Sequence, residues 1–501
     1  MAPAALEDFE TQRLHGEELS TAPVAYTPSA AFKSKQQQGK PDAVSLSHHF
    51  SNESRDFEGS PLKKTALNRT DFVPLGTGRP TAELYPWSLD DKQAQATATA
   101  LSAKGYNLTT ALNYGHAGGT PFLIRYLTEH VELVHNPPYR NWETCLTAGS
   151  TSAMEIALRI FGDRGDVVLT EEFTYPGFLE AVHLSGMKAK GVKMDDGGLR
   201  EDSLAEILDN WNTSDGPKPK LLYTIPTGQN PTGYTQSLER RKAIYRIADR
   251  HDLIVIEDDP YYYIKAGPLA ESDASAQTDG GGFISQLIPS YLSLDTSGRV
   301  IRLDSTAKIL APGLRAGWVT ASERVISKFM AYHEVTTVAV SGMSQLMLYD
   351  LLDRTWGHEG FFRWLEKLSG RYRKRRDIIV GACQKYLPRA ACDFIPPSYG
   401  MFVWIRFDMA LHPQLRELLG SPDVQMLRTT VATVEQRILQ DALQNGVQVT
   451  KGSLFRSSGG EAHEMFFRLT FAAAREDELA EGVRLFAEVV RKEFLADAVG
   501  L

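Results

Sequence analysis

Apolar residues recur along this chain at two spacings, and from about Thr144 onward the two alternate. The run TCLTAG reads as a strand. The next segment, STSAMEIALRIF, places its apolar residues at helical spacing. The pattern repeats through DVVLT, TYPGFLEAVHLSG and AKGVKM, then KLLYTIP, SLERRKAIYRIADRHD and LIVIED, then RVIRLD and LRAGWVT. Strands that are apolar on both faces and alternate with helices predict an open, mostly parallel sheet flanked by helices, an α/β large domain. After Gly317 the texture shifts to long helices (SERVISKFMAYHEV and FFRWLEKLSGRYRKRRDIIVGACQKYL), the alternating strand GMFVWIRF, the helix VEQRILQDALQNG, the strand FFRLTF and a last helix EDELAEGVRLFAEVVRKEFL. That predicts a smaller α+β C-terminal domain. Residues 1–70, rich in Ser, Gln, Lys and Pro, read as a partly disordered N-terminal arm. Residues 71–330 read as the large domain, its start contributing to the small one, and residues 331–501 as an interdomain helix plus the small domain. The Gly-, Ser- and Asp-rich stretch Ala266–Pro289 reads as a surface excursion.

Composition narrows the function classes. A chain of 501 residues exceeds what one core usually fills. Its 42% hydrophobic and 23% charged residues are the balance of a globular enzyme. A net charge of −8 argues against sequence-independent nucleic-acid binding. Three cysteines, Cys145, Cys383 and Cys392, lack metal-type spacing and read as reduced thiols; no metal is expected from them. No apolar run is long enough to span a bilayer, and the acidic start does not resemble a targeting segment. The expected location is the cytoplasm, with no membrane and no nucleic-acid partner.

Four segments could carry chemistry. In DSTAKILAPGLRAGW, residues 304–318, Lys308 lies between Ala307 and Ile309. Poor hydration there favours a neutral, nucleophilic amine, although an isolated lysine of this kind usually only extends its ammonium to water. Ser305 adds a hydroxyl, and the guanidinium of Arg315 can clamp a phosphate. In IPTGQNPTG, residues 225–233, Asn230 ends a strand, where open sheets bind ligands; the plainer reading is a turn. IEDDPYYY, residues 256–263, puts Asp258 or Asp259 at a strand end, with Tyr261 following. AGSTSAMEIAL sets Gly149, Ser150 and Thr151 at a helix start, either an anion site or an ordinary cap. Tyr175, after the next strand, lies flat on a ring or fills core.

In this order the segments resemble fold-type I pyridoxal-phosphate aminotransferases, most nearly the fungal aromatic and 2-aminoadipate group related to kynurenine/aminoadipate aminotransferases. The likeness runs from about Phe72 to the C-terminus. Its most specific pieces are KPKLLYTIPTGQNPTG, EDDPYYY, SLDTSGRVIRLDS and LAPGLRAGW. The resemblance implies pyridoxal 5′-phosphate held by Lys308 as an internal Schiff base, with Lys308, Asp258 and Tyr175 as the catalytic set. Lys308 would also move the proton, Asp258 would pair with the pyridinium nitrogen, and Tyr175 would stack on the ring. Asn230 and Tyr261 would bond its phenolic oxygen. Ser150, Thr151, Ser305 and Arg315 would surround the phosphate, joined by Tyr114 from the second subunit of a homodimer. Arg468 would grip the substrate α-carboxylate, with Asn230 and the loop at Gly78 also on the substrate side.

The implied reaction is ping-pong transfer between an aromatic or 2-aminoadipate-like amino acid and a 2-oxo acid such as 2-oxoglutarate. Three positions depart from the family pattern: Ala307 replaces a serine before the lysine, Arg79 replaces an apolar residue before Pro80, and GHAGGTP follows Tyr114. They bear on specificity more than on reaction type. Two alternatives keep the cofactor: a secondary-metabolite aminotransferase using another amino acid such as lysine, and a lyase or decarboxylase. A DNA-binding regulator would need a winged-helix unit, and residues 1–70 show no such periodicity.

Overall fold

The computed structural model describes residues 6–16, 18–19, 26–55, 105–269, 280–420, 423–457 and 464–495. Two compact units emerge, each assembled from three stretches of chain. One joins residues 1–164, 248–260 and 279–364; the other joins 165–247, 261–278 and 365–501.

In the first unit the strands Trp142–Thr147, Gly317–Ser322, Val300–Ser305 and Ile254–Asp258 lie side by side in that order. All of their residues are buried, as expected of strands covered on both faces. Helices Pro121–Val134, Ser150–Phe161 and Glu323–Val335 flank them. Ile254–Asp258 and Val300–Ser305 run parallel, whereas Gly317–Ser322 is antiparallel to both neighbours. Only residues 306–316 connect Val300–Ser305 to Gly317–Ser322. That is too short for the crossover a parallel pair requires, so the chain turns back, and Lys308 lies on the turn.

Part of the expected N-terminal arm belongs to this unit. Ser29 Oγ lies 2.9 Å from Thr128 Oγ1, the Ser34 amide donates to Glu132, and Arg13 pairs with Glu129 and Asp353. Helix Pro121–Val134, which receives these contacts, precedes the point where alternation becomes legible in the sequence.

The second unit carries parallel strands in the order Leu221–Thr224, Val167–Glu171, Lys188–Val192. It also holds a four-stranded antiparallel sheet, ordered Cys392–Phe394, Phe402–Phe407, Met465–Thr470, Thr450–Lys451. Helices Val424–Gln444 and Glu476–Leu495 are the long helices read near the C-terminus. The helix-flanked strands thus pair mostly in parallel, and the antiparallel sheet is the smaller α+β part. No helix among the described residues is long and apolar enough to cross a membrane.

Candidate active site

Strand register brings the first unit's candidate residues into one row. Gly317 pairs with Thr147 on one side and with Ser305 on the other. At strand spacing, the turn before Ser150 and the turn carrying Lys308 are therefore only about 10 Å apart. Asp258 closes the next strand, in register with Leu303.

The backbone on both sides of Lys308 is fixed. Thr306 Oγ1 donates to Ala316 O at 2.7 Å, the Leu310 amide donates to Thr306 O at 2.8 Å, and Trp364 Nε1 donates to Ile309 O at 2.8 Å. The Ala307 amide donates to Ser305 Oγ at 3.1 Å, which leaves the hydroxyl proton of Ser305 for another acceptor. Lys308 itself is half-buried.

The geometry fits a bound phosphate at the Gly149–Thr151 turn. Helix Ser150–Phe161 starts there and presents its free N–H groups. Ser150 Oγ is buried without a hydrogen-bond partner among the described residues. Gly149 adopts φ +89°, a backbone conformation that disfavours any side chain, and the Arg315 guanidinium fills the space a Cβ would enter, with Nη2 2.7 Å from it. Arg315, itself left-handed at φ 47°, donates to Pro312 O and Ala148 O at 3.0 and 3.2 Å. Its guanidinium is thereby parked against this turn while remaining exposed. Thr151 is exposed, as is Tyr114 at 56%.

Along IEDD, side chains alternate between sheet faces. Glu257 and Asp259 share one face, where both meet the fully buried Arg302 at 3.2 and 3.4 Å; Asp304 joins them at 2.9 Å. Asp258, 4% exposed, lies on the opposite face. Of the two aspartates left open in the sequence, Asp259 is committed to Arg302. Glu257 is further tied by the Tyr291 and Leu292 amides.

The second unit gathers Asn230 and Arg468. The 225–233 segment folds tightly: Gly228, at φ +54°, lies so near Gly400 that a Cβ would meet it at 2.6 Å. Gln229 Nε2 donates to Phe173 O and its Oε1 accepts from the Thr232 amide, which fixes the loop around Asn230. Arg468 sits mid-strand between two neighbours and is no edge charge. Its Nη1 donates to Asn230 Oδ1 at 2.7 Å, and its guanidinium lies 4.6 Å from the Phe402 ring centre and 4.7 Å from that of Phe455. Burial lowers its pKa, opposed by Tyr261. Tyr261, also buried, packs edge-on against Phe402. Tyr175 is half-buried at the start of helix Pro176–Leu184, its ring against Gly177. Gly78 and Arg79 lie outside the described residues.

Two supports were not anticipated. One is the Arg302 cluster. The other is Glu171, fully buried, accepting from Thr224 Oγ1, the Ile225 amide and Thr174 Oγ1. Burial pushes its carboxyl up to about 7 against those hydrogen bonds. The signal for both is a charged residue inside an otherwise apolar strand.

Comparison with known proteins shows the family. The model of the family "Aminotransferase class I and II" matches residues 72–486. A protein named Aminotransferase swnA from Metarhizium robertsii is 43% identical over 96% of this chain and 97% of its own. An aromatic amino acid aminotransferase from Schizosaccharomyces pombe is 36% identical over 90% and 98%. The crystal structure of aminotransferase Aro8 from Candida albicans superposes with a TM-score of 0.79 at 34% identity, covering 91% of this chain and 100% of that one. The chain belongs to the class I and II aminotransferase family: it is a fold-type I, pyridoxal-phosphate-dependent enzyme that moves an amino group between an amino acid and a 2-oxo acid.

Proposed function

We propose that Lys308 is the attachment point of pyridoxal phosphate and that the donor is an aromatic or 2-aminoadipate-like amino acid, with 2-oxoglutarate as acceptor. The observation that carries the substrate side is the Arg468 guanidinium, tied to Asn230 and flanked by Phe402 and Phe455. A cation held in place with little water around it suits an α-carboxylate. The aromatic donor rests on the similarity to the fission-yeast enzyme.

Pyridoxal phosphate, when bound, takes up the electron pair left as the donor's Cα–H bond breaks. The Lys308 amine would be the base that takes and returns that proton. Asp258 would keep the pyridine nitrogen protonated, Asn230 and Tyr261 would donate to the phenolic oxygen, and Tyr175 would lie against the ring. Ser150, Thr151, Ser305 and Arg315 hold the phosphate. Tyr114 completes that set from a second copy of the chain, a role compatible with its exposure, and Gly78 belongs to the loop over the substrate. A homodimer in the cytoplasm is part of this reading; three buried free thiols suit a reducing compartment.

A second reading, a specialised secondary-metabolite enzyme whose donor is another amino acid such as lysine, rests on the departure at Ala307, where the family pattern has serine. Mixing the holoenzyme with single amino acids and following conversion to the pyridoxamine form separates the two. Fastest conversion by aromatic donors or 2-aminoadipate supports the first reading. Fastest conversion by lysine supports the second, and no conversion by any amino acid sinks both.

A further inference from the structure

Away from these residues, the short helical turn Ser47–His49 places two adjacent imidazoles over one carboxylate. His48 Nε2 and His49 Nε2 lie 2.7 and 2.8 Å from the same atom, Asp252 Oδ2. All three donor atoms fall within 4.8 Å of one another. We propose that His48, His49 and Asp252 form a binding site for a divalent transition metal, Zn2+ in particular, with water as the fourth ligand.

Three features point to a metal rather than to a simple ion pair. His49 is 5% exposed, and its Nε2 has no aligned hydrogen-bond partner among the described residues: the nitrogen is close to Asp252 without aiming an N–H along the contact. A buried imidazole nitrogen 2.8 Å from a carboxylate oxygen needs only a small adjustment for both atoms to ligate one ion. The two rings lie 4.2 Å apart, close enough for both to reach one ion. Neutral imidazole is the form a metal requires.

The local charge also permits a dication. Arg299 approaches the other oxygen, Asp252 Oδ1, at 3.3 Å, but Asp249 balances it at 2.9 Å, and Oδ2 faces the histidines. Tetrahedral zinc with bonds of about 2 Å sets its ligands about 3.3 Å apart. The contacts must therefore open by roughly 0.5 Å. The exposed side chains of His48 and Asp252, 61% and 50% accessible, can make that adjustment. Such a site would clip residues 44–55 to the turn at residues 251–253, joining positions two hundred residues apart in sequence.

The test titrates Zn2+ into chelator-dialysed holoenzyme by calorimetry, with bound metal counted per chain. Expected are one equivalent bound, a raised melting temperature, and at least about 100-fold weaker binding in His48→Asn and Asp252→Asn, since a lost ligand should cost no less than a lost outer-shell partner. His48 is exposed and Asn tolerates the left-handed backbone of Asp252, so both variants should fold. Absence of zinc binding by the wild type, or equal binding by wild type and His48→Asn, overturns the proposal.

Discussion

The 305–315 turn and the Met465–Thr470 strand each carry a guanidinium assigned to an anion, and the two are held in different ways. Arg315 is exposed and left-handed, and among the described residues its guanidinium is hydrogen-bonded to the carbonyls of Pro312 and Ala148. Around it the donors are numerous and individually weak: a helix N-terminus, Ser150 Oγ and Ser305 Oγ. Arg468 is enclosed by two aromatic rings, is bonded to Asn230, and has a pKa lowered by burial. On the proposed reading, one site would bind by number, with its geometry set by backbone. The other relies on a single desolvated charge. The first should tolerate the loss of any one donor, and the second should not.

The largest effect expected from this contrast is at Arg468. Arg468→Gln should lower kcat/KM for every donor by about 10³-fold, because it removes one partner of a buried charged contact. Steady-state kinetics with two unrelated donors checks this. A loss confined to one donor would assign Arg468 to side-chain recognition instead.

Glu171 tests the scaffold beneath that pocket. It bonds Thr174, whose amide donates to Phe455 O at 2.8 Å, so it braces one of the rings on Arg468. Its folded pKa, about 7, lies above its ordinary value of 4.5, so the folded state binds the proton more tightly than the unfolded state. That contribution is fully present below about pH 4.5 and is lost as pH rises through about 7. Relative to Glu171→Gln, the wild type should therefore lose up to about 3 kcal/mol of stability across that window. Parallel melting-temperature profiles for the two proteins from about pH 5 to about pH 8 would remove Glu171 from this role.

The smallest effect belongs to Arg315. Arg315→Gln should weaken cofactor binding only about five-fold, as expected for an exposed charge among several donors, with kcat unchanged at saturating pyridoxal phosphate. Equilibrium dialysis measures it. A loss as large as that at Arg468 would collapse the distinction between the two sites.

The sequence revealed the parts that depend on short-range pattern. Strand and helix periods located Trp142–Thr147, Ser150–Phe161, Ile254–Asp258 and Glu476–Leu495, and short spacings exposed the segments around Asn230, Asp258 and Lys308. What stayed hidden depends on register and long-range contact. Arg302 looks like an interruption of RVIRLD until pairing with Glu257 shows one cation serving three carboxylates. The rings on Arg468 come from Phe402 and Phe455, on segments with no spacing relation to it. His48 and His49 meet a carboxylate about two hundred residues away, which no local motif encodes. The long helix Gly357–Tyr386 was legible, but the seven-residue π-helical segment Asp350–Trp356 before it was not, because its wider turn disrupts the 3.6-residue period.

The most direct test of the central claim is a single-turnover comparison of wild type and Lys308→Ala, both loaded with pyridoxal phosphate and mixed with one good donor. The account predicts that the variant lacks the visible absorption band of lysine-bound cofactor and converts donor at least about 10⁴-fold more slowly, the upper range for loss of a proton-transfer group. A variant that keeps the band and converts donor at the wild-type rate would contradict it.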